Sequence, residues 1–224
     1  MKKKHTYTIK KLSDDNIEDL VELYKASFGK TTSKEFLQKK FNTKFSGFKN
    51  VGFIAYSNEG EASAFYGVLP CFCVINDKKS LVAQSGHTMT HPKHRRAKLF
   101  TTLAEKTFDY CKKNGFKAIF GFPNIYSYAS FIKKLNWIHF DDYHSFLPKT
   151  GSFPWIRLKR LIPSMIDFHN KIQLRTLEKF ENTNGFENSI KSNHPQIVHD
   201  PDFHEFKKFQ NSYLKNIGTY KIWF

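Results

Sequence analysis

The chain has 224 residues, 40% of them hydrophobic, with 24 Phe and 10 Tyr, so it can bury a sizeable core and does not read as disordered. No apolar run reaches the ~20 residues of a membrane-spanning helix, and the opening "MKKKHTYTIKKLSDD" has charge but no apolar segment behind it, which argues against a secretory signal. The formal net charge of +16 would draw nucleic acid, anionic membrane and phosphorylated ligands alike, so charge alone selects no function.

The first predicted element is a strand over 7–12. Ser13 and Asp14 then offer N-cap oxygens to a helix in which Ile17, Leu20, Val21, Tyr24 and Phe28 recur at spacings of three and four, closed by Gly29. Ser33 opens a second, shorter helix carrying Phe36, Leu37 and Phe41. The period then changes. Turn signals at 58–60 and 76–79 divide a β-rich stretch into a predicted meander of strands over 51–57, 62–75 and 80–90. The three cysteines, Cys71, Cys73 and Cys111, are odd in number and suit a reducing, cytoplasmic compartment. No cysteine or histidine cluster stands at ligand spacing, so no metal is expected and the cysteines read as small buried hydrophobes.

After "THPKHRRAK" comes an amphipathic helix with Leu99, Phe100, Leu103, Thr107, Phe108 and Cys111 on one face, stopped by Asn114-Gly115. "FKAIFGFPN" predicts a strand, "SYASFIKKLNW" a helix with Tyr128, Phe131, Ile132 and Leu135 inward, and "WIHFDDYHSFL" a last strand. A strand, a crossover helix and a strand imply a parallel pair inside a mixed sheet, so the class is α/β (α+β). From about Pro148 the texture changes, giving an N-terminal domain over 1–147 and a basic, largely helical extension over 148–224. Within the extension, 155–179 is an imperfectly amphipathic basic stretch, either interfacial to a membrane or simply solvated. His194, His199 and His204 read as exposed loop histidines.

Lys93, His94, Arg95, Arg96 and Lys98 crowd the start of the Leu99 helix. That end carries the positive pole of the helix dipole, where cations are unfavourable unless an anion sits among them. A helix start after a strand also presents unpaired N–H groups, which makes an anion pocket. The cluster therefore reads as a phosphate cradle, with a solvated basic turn as the bland alternative.

The ordered set "AQSGHTMTHP", "KHRRAKLF", the helix, "AIFGFPN" and "FIKKLNW" resembles the GCN5-related N-acetyltransferase (GNAT) superfamily. That core runs strand, P-x-x-R-G-x-G turn, helix, strand, Asn, helix, L-G-F. Here the signals stand as Pro92, Arg95, Leu99, Phe100, Asn124 and Leu135-Asn136-Trp137, and "GFPN" is similar to a longer subfamily with a C-terminal extension. The resemblance implies a mixed, mostly antiparallel central sheet flanked by helices, and transfer of an acetyl or other short acyl group from coenzyme A to an amine, an amino sugar being the acceptor it suggests. Acetyl-CoA is then the acyl donor. Its pyrophosphate would lie on the amides of Arg95, Arg96, Ala97, Lys98, Leu99 and Phe100, its pantetheine along Met89, Thr90 and His91, with Asn124 also at the site. Arg96 and Lys98 occupy the two glycine positions of the family's turn, and Ile132 stands where the family's acid, a Tyr, is usual. Tyr126 and Tyr128 are the substitute acids, and His87 is the candidate base, with a pKa range suited to deprotonating an amine. The alternative is a degenerate fold whose cations serve nucleic acid, an anionic membrane or a protein partner. The oligomeric state is open, a homo-oligomer included.

Overall fold

The computed structural model describes residues 6–141, 175 and 194–210, together with the backbone of 214–217 and 220–223. The elements run β1 (Thr8–Lys11), α1 (Asp19–Phe28), α2 (Lys34–Phe41), β2 (Gly52–Tyr56), β3 (Ala62–Ile75), β4 (Lys78–Thr90), α3 (Leu99–Lys113), β5 (Ala118–Gly121) and α4 (Ile125–Leu135). From the extension come β6 (Gln196–Ile197), α5 (Pro201–Lys207) and the antiparallel pair β7 (Leu214–Ile217) and β8 (Tyr220–Trp223). The main sheet has the order β1-β2-β3-β4-β5, antiparallel except for the parallel β4–β5 pair, with β6 antiparallel against Cys73 and Val74 of β3.

Alternation along the strands sorts the core into two layers. Ala55, Ala64, Tyr66, Val68 and Ala83 face Leu99, Leu103, Ala104 and Cys111 of α3 and Phe131 of α4. Ile54, Phe65, Leu69 and Met89 face the other way, onto Leu20 and Leu23 of α1 and Leu37 and Phe41 of α2. A third cluster joins Cys71, Cys73 and Val82 to Phe203 of α5, so the described residues 196–207 of the extension pack on the domain.

Three expectations change. The first helix begins at Asp19, not after Ser13 and Asp14. Asn16 holds a turn there, accepting from the Ser13 N–H at 2.8 Å and donating to the Lys11 carbonyl at 2.9 Å. Asp14 is engaged elsewhere, by Lys49 and by Asn50 Nδ2. The strand predicted from Trp137 does not form over 137–141, and 142–147 lie outside the described residues. Asn136, at φ 54°, turns Trp137 back onto Phe131, ring to ring at 4.6 Å. His204 is buried within α5, and His199, half-buried in the loop before that helix, stands beside it with ring centroids 6.3 Å apart, so neither is an exposed loop histidine. The stretch 155–179 falls, save for residue 175, outside the described residues.

Candidate active site

The sheet opens at one place. Parallel pairing of β4 with β5 ends at Ser85 and Gly121, while β4 continues to Thr90 against β3. Among the described residues no strand covers the far edge of β4 from Gly86 onward, so that edge offers unpaired backbone groups to a ligand. Gly67 pairs with Gly86 and Phe65 with Met89, which leaves His87 and Thr88 together opposite Tyr66. This is a β-bulge, and His87 holds its extra position at φ 56°, a left-handed conformation unusual for a residue with a Cβ. Strain of that kind collects at functional sites.

The bulge drives the His87 ring toward α1 and α2. It stacks on Tyr24 with centroids 5.8 Å apart, and Lys40 Nζ approaches Nδ1 at 2.6 Å and Nε2 at 3.0 Å. Lys40 is only 5% exposed, and no carboxylate lies within ion-pairing distance of it among the described residues. Burial first, then the nearby Lys207 charge, brings its pKa down to about 8. Burial, then the Lys40 charge, lowers His87 to about 4. At neutral pH the imidazole is therefore uncharged and hydrogen-bonded to a buried ammonium. Lys40 carries no sequence motif; only the packing of α2 against the bulge reveals it.

Beyond Thr90 a short 3-10 turn, Pro92–His94, leads to α3. His94 departs from the cation cluster, buried with its Nδ1 3.1 Å from the Tyr7 hydroxyl. His91 caps the turn by accepting from the Lys93 N–H, and its Nε2 lies 3.5 Å from Glu61. Arg95, Arg96 and Lys98 remain exposed, with no carboxylate partner among the described residues. Arg96 has φ 70° and Lys98 φ 60°. Asn136, the third residue standing at a glycine position of the family pattern, is at φ 54°. All three thus keep the backbone that glycine would adopt at least cost. The start of α3 has no side-chain cap and no acid in its first turn, and its first backbone bond to the preceding turn runs from Thr102 N–H to the Lys98 carbonyl. The N–H groups of Leu99, Phe100 and Thr101 are left for an anion. Ala97 and Phe100 pack inward against the α3 layer, which anchors the turn.

The remaining candidates separate. Asn124 caps α4, its Oδ1 accepting from the Tyr126 and Ser127 N–H groups at 3.0 Å each. Tyr126 is 87% exposed at the start of α4. Tyr128, expected inward, is exposed and hydrogen-bonds His139 Nδ1 at 3.1 Å. Met89 turns its side chain into the α1 layer, leaving only its backbone for a ligand.

A mixed sheet whose fourth strand is bulged and parts from a parallel fifth, with an uncapped helix start beside the opening, is the architecture of an acetyltransferase domain. The chain belongs to the GNAT family: the family described as "Acetyltransferase (GNAT) domain" matches residues 8–140, more than half of the sequence. Its fold is similar to that of an acetyltransferase from Trypanosoma brucei, at 12% identity over 64% of this chain and 100% of that one, TM-score 0.51. It is similar too to glucosamine-6-phosphate N-acetyltransferase from Arabidopsis thaliana, at 16% identity over 63% and 98%, TM-score 0.51. At such identities these likenesses speak for the fold. A search of curated proteins returned no significant match.

Proposed function

We propose that the protein is an acyl-CoA-dependent N-acyltransferase that moves an acetyl or other short acyl group directly onto a primary amine, with amino sugars the acceptor class suggested by sequence resemblance. The observation that carries this reading is the row of unpaired N–H groups opening α3, held by Arg96 and Lys98 in glycine-like conformations. A pyrophosphate accepts from those amides, while Arg95 and its neighbours supply charge. The pantetheine amides find partners on the uncovered edge of β4, and the thioester then lies near the bulge. The amine attacks the thioester carbon, the C–N bond forms, the C–S bond breaks, and the thiolate takes a proton. His87, uncharged at neutral pH, receives the proton lost by the acceptor's ammonium, and Lys40 takes that role only in its deprotonated form, which becomes the majority above about pH 8. Tyr126 and Tyr128 remain the candidate proton donors to the thiolate.

Calorimetric titration with acetyl-CoA at low and moderate salt tests the reading. Saturable binding that survives the salt and disappears in Arg95→Glu supports it. Absence of binding at millimolar ligand overturns it in favour of a binding protein, whose affinity for nucleic acid would fall steeply with salt.

A further inference from the structure

On the sheet face opposite α3, residues 197–207 help to wall a partly open cavity of about 120 Å³. Leu69 and Cys71 of β3, Phe120 and Phe122 at the end of β5, and Phe203 and Phe206 of α5 wall it. An apolar cavity of ~150 Å³ holds benzene, so this one suits a branched or aromatic group of about four to six carbons. Gln84 and Lys207 supply its polar groups. Gln84 pairs with Phe120 one rung before β4 and β5 part, which sets the cavity beside the place where the thioester would lie.

Lys207 is the informative residue. Its ammonium lies over the rings of Phe203 and Phe206, 5.4 and 6.0 Å from their centroids. No carboxylate lies within ion-pairing distance of it among the described residues; Glu205 on the same helix engages Lys208. Cys71, on the cavity wall, gives no counter-charge, because burial pushes its thiol up to about 12. The buried Lys40 ammonium is close enough that the two cations repel, each held down mainly by burial. A desolvated cation on the wall of an apolar cavity, with a second buried cation behind it, is unfavourable until an anion joins it.

We infer that the acceptor is a primary amine bearing both a carboxylate and an apolar group, the class of hydrophobic α-amino acids, with the apolar group in the cavity and the carboxylate on Lys207. This rests on the N-acyltransferase reading and puts an amino acid in place of the amino sugar that sequence resemblance suggests. The ammonium loses a proton, the nitrogen attacks the thioester carbon, and coenzyme A leaves as its thiol, giving the N-acyl amino acid.

Two measurements test it on the full chain. The first is ligand-observed NMR with 4-methylpentanoate, an apolar carboxylate without an amine, in the absence of coenzyme A. Binding is expected, weakened ~10- to 100-fold in Lys207→Met, as removal of a charged partner predicts. Phe122→Ala, at an exposed rim position, should also weaken it while leaving the fold intact. The second is release of free thiol from acetyl-CoA with leucine, methionine, phenylalanine or glucosamine. Faster release with the amino acids than with glucosamine, lost in Lys207→Met, supports the assignment. If acetyl-CoA binds but the carboxylate does not and the amino acids are not acylated, the acceptor assignment is overturned and the transferase stands. If acetyl-CoA itself does not bind, both fall.

Discussion

Lys40 Nζ lies 2.6 Å from Nδ1 of His87, a buried amine against a half-buried imidazole with no acid between them. Burial and then the Lys40 charge lower the imidazole's affinity for a proton, while Lys40 itself is held down by burial and then by the Lys207 charge. Replacing Lys40 with Met removes the neighbouring charge and leaves the burial. The His87 pKa should therefore rise from about 4 but stay below 6.5, as followed by NMR of the ring proton. An unchanged value would mean that the ammonium does not face the ring.

The same pair sets a pH dependence of stability. The folded pKa of His87 is depressed, so the unfolded chain binds the extra proton between about 6.5 and 4. Stability from this group is full above 6.5 and declines as pH falls through that window. Lys40 is depressed too, from 10.5 to about 8, so stability should rise as pH climbs through that interval. Urea titrations of wild type and Lys40→Met across both windows check the signs: the alkaline rise should be smaller in the variant.

Asn124 distinguishes a cap from a ligand. Asn124→Ala should cost about 1 kcal/mol of stability through the lost cap, and Asn124→Asp should restore it because a carboxylate caps equally well. If coenzyme binding follows stability through both variants, the residue acts by placing α4. Loss of binding in a stable Asn124→Asp would give it direct contact with the ligand.

Arg96 and Lys98 hold a conformation that costs a residue with a Cβ about 1–2 kcal/mol, against which glycine loses roughly 0.5–1 kcal/mol of unfolded-state entropy. Lys98→Gly should therefore be neutral or stabilising by up to about 1 kcal/mol in thermal melts. Acetyl-CoA affinity should fall and become less salt-sensitive, since the amides stay and a cation goes.

Gly52 on β2 and Gly86 on β4 make a matched contrast on either side of β3. A Cβ at Gly52 would meet the Tyr66 carbonyl oxygen at 2.7 Å and the Gly67 Cα at 2.8 Å, whereas one at Gly86 meets nothing within 4 Å. Gly52→Ala should cost about 1–3 kcal/mol through forced backbone displacement. Gly86→Ala should stay within ~0.5 kcal/mol. Denaturant midpoints decide it.

The sequence determined what depends on neighbours along the chain. Alternation and helical spacing gave the meander, α2 with its Ser33 cap, and the α3 face, because burial of one side of each element imposes its period. The turn proposed to hold phosphate stood out by its order of residues, although its glycines are absent. Tertiary structure decided what depends on elements meeting. Only packing could set Lys40 against His87, since 47 positions separate them and Lys40 stands in no local motif. Only the return of α5 and β6 onto β3 could make a cavity of residues that singly read as core. And only the backbone could show that Arg96, Lys98 and Asn136 accept glycine's conformation, because side-chain identity biases φ but the surrounding fold fixes it.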